Sequence, residues 1–169
     1  MNEFALALSS LSWWNGASDD PRDLCLHGKV TGRIGNRVIS CTATVSAAAL
    51  NLLRTLTEEH RAGEELQMLP CCGFSLFADE TGENVTVIGC NQGVDWTVLH
   101  EGGRLRLILE EEAVTVPMDE YRTVVFRFAD TVEAFYRSCT PKILPGDEID
   151  RRGYEAFWRE FHRRREQRS

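Results

Sequence analysis

Residues 24–56 read LCLHGKVTGRI, then GN, then RVISCTATV, then SAAALNLLRTL, and this stretch decides the fold class. Leu24 to Ile34 and Val38 to Val45 read as two strands. Gly35-Asn36 between them are residue types that accept the positive φ of a tight hairpin turn. Ser46 is placed to cap a helix beginning at Ala47-Ala48-Ala49. Ala49, Leu52, Leu53 and Leu56 then recur at helical spacing, and Gly63 lies past the expected end.

Working outward, residues 2–8 place Phe4, Leu6 and Leu8 on one side of an extended segment, a first strand antiparallel to the hairpin. The loop residues Trp13-Trp14-Asn15-Gly16-Ala17-Ser18-Asp19-Asp20-Pro21 separate it from the hairpin. Downstream, segments 74–78, 84–90, 94–100, 104–110 and 113–116 read as short strands divided by Gly- and Asn-containing turns. The last third is helical. Tyr121, Val124, Val125, Phe128, Val132, Phe135, Tyr136 and Cys139 form a wide apolar stripe. After Pro141 and Pro145-Gly146, Asp147 can cap a final helix whose apolar face is Tyr154, Phe157, Trp158 and Phe161. The expected architecture is one α+β domain over residues 1–169. It has an antiparallel sheet or sheets of seven to eight strands, one helix inserted after the third strand and two C-terminal helices, with the basic tail from about 163 to 169 frayed.

The 169 residues are 43% hydrophobic and 27% charged, enough for one core. Residues 151–169 hold seven of the nineteen basic residues and three of the twenty-six acids, which leaves the first 150 residues at a net −11. Such a body repels nucleic acid and attracts a basic partner. Glu3 stands where a secretion signal needs basic residues, and no apolar run reaches membrane-span length, so the expected compartment is the cytoplasm. There Cys25, Cys41, Cys71, Cys72, Cys90 and Cys139 read as reduced, small hydrophobic side chains.

The motifs of chemistry are poorly represented. Cys25 with His27, and Cys71-Cys72 with Cys90, suggest zinc ligands. There is no C-x-x-C or H-x-x-x-H spacing, so the expectation is no metal and no cofactor. No G-x-S-x-G occurs, and His27, His60, His100 and His162 have ordinary readings, His60 as the end of the first helix. Thr31-Gly32-Arg33-Ile34-Gly35 runs into a strand where a dinucleotide fingerprint needs a helix. The chain is therefore expected not to be an enzyme. Trp13-Trp14 beside Asp19-Asp20, and Asp95-Trp96 leading to His100-Glu101, set aromatic anchors next to acids, a combination that interfaces favour. These eight residues are the candidate partner-binding set.

Asp19-Asp20-Pro21-Arg22-Asp23-Leu24-Cys25-Leu26-His27, running into Arg33-Ile34-Gly35 and then Thr42-Ala43-Thr44-Val45, resembles the opening of immunity proteins of bacterial polymorphic toxin systems. The resemblance covers about the N-terminal quarter and rests on turn signals. It implies a small cytoplasmic protein that binds and neutralises one cognate, basic toxin. It carries over no binding residue. The alternative is a small-molecule-binding or enzymatic domain; neither nucleic acid nor a membrane is expected as partner, and a homodimer is left open.

Overall fold

The computed structural model describes residues 2–64, 66–72 and 75–167. Its strands are β1 (Phe4–Ser12), β2 (His27–Ile34), β3 (Arg37–Thr44), β4 (Ser75–Ala78), β5 (Val85–Ile88), β6 (Thr97–Glu101), β7 (Arg104–Leu109) and β8 (Glu112–Pro117). Its helices are α1 (Val45–Arg54), α2 (Met118–Ser138) and α3 (Glu148–Glu166). The fold is α+β, with the inserted helix and the two C-terminal helices where the sequence places them. The expected start of the fourth strand at Phe74 lies outside the described residues.

The expected antiparallel sheet or sheets of seven to eight strands are eight strands in three antiparallel sheets, β1-β2-β3, β4-β5 and β6-β7-β8, and not one continuous sheet. The reason lies in the connection after α1. Thr44 at the end of β3 donates its N–H to Pro70 O, while His60 and Leu69 make isolated antiparallel bridges with Val98 and Val94. The connection thus takes hydrogen bonds at the edge of β6 that a further strand would need. The two three-stranded sheets meet instead through their turns. Gly35 has φ +56°, a side chain there would strike the Glu112 carboxylate, and Asn36 N–H donates to Glu112 Oε1 at 2.9 Å. Arg37 pairs with Glu110 beside this contact.

α1 is buried from Val45 to Leu53, the signature of a central helix. It follows β3 directly and begins at Val45, two residues earlier than expected. Ser46 does not cap it; the Ser46 Oγ accepts from Leu26 N–H at 3.1 Å and ties the helix start to the chain before β2. The helix also stops early. Thr55 Oγ1 donates to Leu52 O and meets the buried Tyr121 hydroxyl at 2.7 Å, so the chain turns away well before Gly63.

α2 buries Tyr121, Val125, Phe128, Ala129 and Val132, the expected stripe, and Tyr121 stacks on Phe4 with ring centroids 4.9 Å apart. α3 is capped by Asp147, whose carboxylate accepts from the N–H groups of Ile149 and Asp150. Asp147→Ala is expected to cost about 1 kcal/mol in a urea melt. The tail is not frayed as expected: α3 continues to Glu166. Arg163 donates to Glu83 O and the Asn84 side chain, Arg164 bonds Glu58 and Glu160, and Arg165 binds Asp130 in bidentate fashion and lies 3.9 Å over the Phe126 ring. Arg168 and Ser169 lie outside the described residues. Among the described residues no helix is long and apolar enough to cross a membrane.

Candidate functional site

The C-terminal end of α1 and the loop that follows enclose an open cleft of about 610 Å3. Glu58, Glu59 and Glu64 line it with Arg54, which is held by Glu160 at 2.8 Å; Glu58 is paired with Arg164 at 2.6 Å and Glu59 with the exposed Arg61 at 3.5 Å. The wall is built by Asp95. Its Oδ1 accepts from His60 Nε2 at 2.7 Å and from the N–H groups of Met68 and Trp96, and its Oδ2 accepts from Gly63 N–H. One carboxylate thus folds residues 60–68 around itself and gives the cleft a fixed shape. His100 adds a second tie, with Nε2 2.9 Å from Thr55 O and its N–H donating to Glu59 Oε1.

Beneath the rim lies Asn51, only 6% exposed. Its Nδ2 donates to Gln67 O at 2.8 Å, and its buried Oδ1 has no hydrogen-bond partner among the described residues. A buried acceptor without a donor costs about 1–3 kcal/mol. Carboxylates on the rim favour a guanidinium or ammonium group over an anion.

The same cleft offers little to acid–base or covalent chemistry. His60 and Asp95 form a close pair, but Asp95 is saturated by donors that hold the loop. The one hydroxyl in the lining, Thr55 Oγ1, is committed to Leu52 O and Tyr121. Elsewhere, burial pushes the Cys25 thiol up to about 12, so it is no nucleophile at neutral pH.

The eight candidate residues do not form one surface. Trp13, Asp19 and Asp20 belong to a loop held against Tyr136, Thr140 and Lys142, whereas Asp95 and His100 tie down the chain that follows α1, at His60 and Thr55. Trp13 and Trp96 are corrected outright: they are 1% and 0% exposed and cannot offer their rings to a partner. Trp96 packs near Phe4, and Trp13 sits edge-on to Tyr136 under the Lys142 ammonium, 3.1 Å from the ring centroid. Asp19 accepts from the Thr140 hydroxyl and N–H, hydrogen bonds that hold its carboxyl below the usual range, and Lys142 Nζ donates to Asp20 O. These contacts pin the 13–26 loop to the link between α2 and α3. Trp14 holds the exposed ring of that group, at 67%, and its backbone N–H donates to Asp23 Oδ2 at 2.7 Å. At the other end, Asp95 and His100 shape the cleft without entering it, and the exposed Glu101 lies 3.9 Å from Arg106.

The residues that line the cleft were missed. Glu58-Glu59-His60 reads as the last turn of a helix, and His60 proves not to end one; it bridges to β6. A signal was present in Glu58, Glu59, Glu64 and Glu65, four acids within eight positions, and in Asn51, a lone amide in an otherwise apolar helix. Comparison with known proteins finds no family model, no curated protein and no solved structure that matches this chain.

Proposed function

We propose that this chain is a non-enzymatic binding module that captures a basic protein by receiving an arginine or lysine side chain in the acidic cleft. This is the manner of action expected of an immunity protein that neutralises a basic bacterial toxin. The observation that carries the reading is the open cleft after α1, with Glu59 and Glu64 on its rim. The net charge of −7 supports it, because it would steer a cationic partner and raise its association rate at low salt. So does the use of the C-terminal arginines inside the fold, where Glu58, Glu160 and Asp130 engage them. The resemblance of the N-terminal quarter to immunity proteins points the same way.

A second reading has its own support: a cleft of about 610 Å3 also suits a small cationic molecule. The two separate in one experiment. Hexa-arginine peptide and free arginine amide are titrated into the full chain by calorimetry at two salt concentrations. The protein-capture reading expects the peptide to bind at least about tenfold more tightly, since the approach field acts on its whole charge, with affinity falling as salt rises. Glu59→Gln with Glu64→Gln should weaken the peptide about five- to tenfold, at up to about 1 kcal/mol for each rim charge. Equal affinity for arginine amide would favour the small-molecule reading. Binding of neither would remove both.

A further inference from the structure

Cys71, Cys72 and Cys90 converge on one point, with their sulfurs within 4.8 Å of one another, and form the one such cluster of metal-ligating side chains among the described residues. This corrects the reading of these three as isolated apolar fillers. Cys71 and Cys90 are paired as a disulfide, and the exposed Cys72 keeps its sulfur 3.0 Å from that of Cys90 and 3.5 Å from that of Cys71. In extended chain, successive side chains point to opposite faces. Neighbouring residues 71 and 72 therefore share a point only because the backbone turns there. Cys90 N–H donates to Cys72 O, holding the two approaches side by side.

The place in the fold explains what a ligand would do. Cys72 lies just before β4 and Cys90 just after β5, at the open end of a two-stranded hairpin. Two-stranded hairpins are marginal by themselves. The Cys71–Cys90 disulfide closes this end with two sulfurs and leaves the third, that of Cys72, beside it.

We propose that, once reduced, Cys71, Cys72 and Cys90 bind a single soft or borderline divalent cation of the zinc class through three thiolates. Water occupies the fourth position on the exposed Cys72 side. Reduction of the Cys71–Cys90 bond takes two electrons from a phosphine, which leaves as its oxide with the oxygen of one water, and the two protons of that water go to the two thiols. Binding then releases three protons, one from each thiol, as three sulfur–metal bonds form. The fit is close: a Zn–S distance of about 2.3 Å in tetrahedral geometry needs sulfurs about 3.8 Å apart. The cluster reaches that by opening less than about 1 Å at the two contacts of Cys72 and, once the disulfide is reduced, by parting the Cys71 and Cys90 sulfurs from bonding distance to the same spacing. Thiolates favour such ions over magnesium or calcium. Cys25, Cys41 and Cys139 take no part.

The test uses the full chain, reduced with a phosphine and transferred without oxygen into thiol-free buffer. Cadmium and zinc are then titrated in separate experiments. The expected result is one ion per chain and a thiolate-to-cadmium ultraviolet band of three-sulfur intensity. Three thiols should become protected from alkylation, and the melting temperature should rise with zinc concentration. Cys72→Ser, at an exposed position, should keep the apo fold by circular dichroism, lower affinity by at least about tenfold and reduce the band to two-sulfur intensity. Cys41→Ala should change nothing. The proposal is overturned if the reduced protein retains no stoichiometric ion, if Cys72→Ser binds like the wild type, or if alkylation proceeds at the same rate with and without metal.

Discussion

Glu160→Gln is expected to lower stability by about 3 kcal/mol, the lower end of what breaking a buried ion pair costs. Glu160 is 1% exposed and joins three elements. Its Oε1 accepts from Arg54 and Arg164, and its Oε2 accepts from Arg54 and from Val85 N–H, so α1, β5 and α3 meet at one carboxylate. A glutamine amide would turn N–H groups towards two guanidiniums that have little water to replace the lost charge. The lower end applies because the Arg54 and Arg164 side chains keep 15% and 13% of their exposure. Burial by itself would raise the Glu160 carboxyl, but the hydrogen bonds and charge of Arg54, with Val85 and Arg164, outweigh it and hold the group below its usual value of 4.5. A depressed folded value gives stability that is complete above the unfolded value and lost as pH falls through the folded one. Urea melts from pH 7 to pH 3 should therefore show a steep acid limb in the wild type and a shallower one in Glu160→Gln. Replacing Glu160 with leucine together with Arg54→Met should restore part of the loss at pH 7, because Arg54 no longer faces an uncharged partner and Arg164 keeps Glu58.

Gly153→Ala should also destabilise, against the ordinary expectation for a glycine inside a helix. Propensity favours alanine there by about 1 kcal/mol. A Cβ at 153, however, would fall 1.9 Å from Leu76 O and 2.5 Å from Leu76 C, so α3 and β4 would have to part. Overpacking of this kind costs about 3 kcal/mol, which leaves a net loss of about 2 kcal/mol, read as a lower urea midpoint with an unchanged slope. Leu76→Ala should not rescue it, since the obstacle is backbone. A stabilised Gly153→Ala would show that α3 does not sit this close to β4.

The parts of the fold that were legible in the sequence are those written in local pattern. The stripe from Tyr121 to Val132 repeats over enough turns for only a helix to satisfy it, and Gly35-Asn36 between two strand runs leaves the chain little choice but a hairpin. The connection after α1 was illegible because its partners are distant. Thr55 finds Tyr121, His60 finds Asp95 and Pro70 finds Thr44, none within reach of a window of helical length. Glu58 and Glu59 are good helix formers, so propensity carries the helix past Arg54, and tertiary hydrogen bonds overrule it. The tryptophans were ambiguous for a different reason: Trp13 and Trp96 serve the core as readily as Trp14 serves the surface, and adjacent acids do not distinguish the roles. Asp19 and Asp95 turned out to spend their charge on neighbouring N–H and O–H groups. The basic tail was misjudged because its partners, Glu58, Glu83 and Asp130, come from three separate segments.

Entry of a cationic side chain into the cleft above Asn51 is tested by a two-dimensional NMR titration of the uniformly 15N-labelled chain with hexa-arginine peptide. The Asn51 side-chain amide and the backbone amides of His60, Gly63, Glu64 and Gln67 should move together along one saturable curve, and the Trp14 indole N–H should stay in place. Shifts confined to Trp14 and its loop, or a diffuse change without saturation, would contradict it.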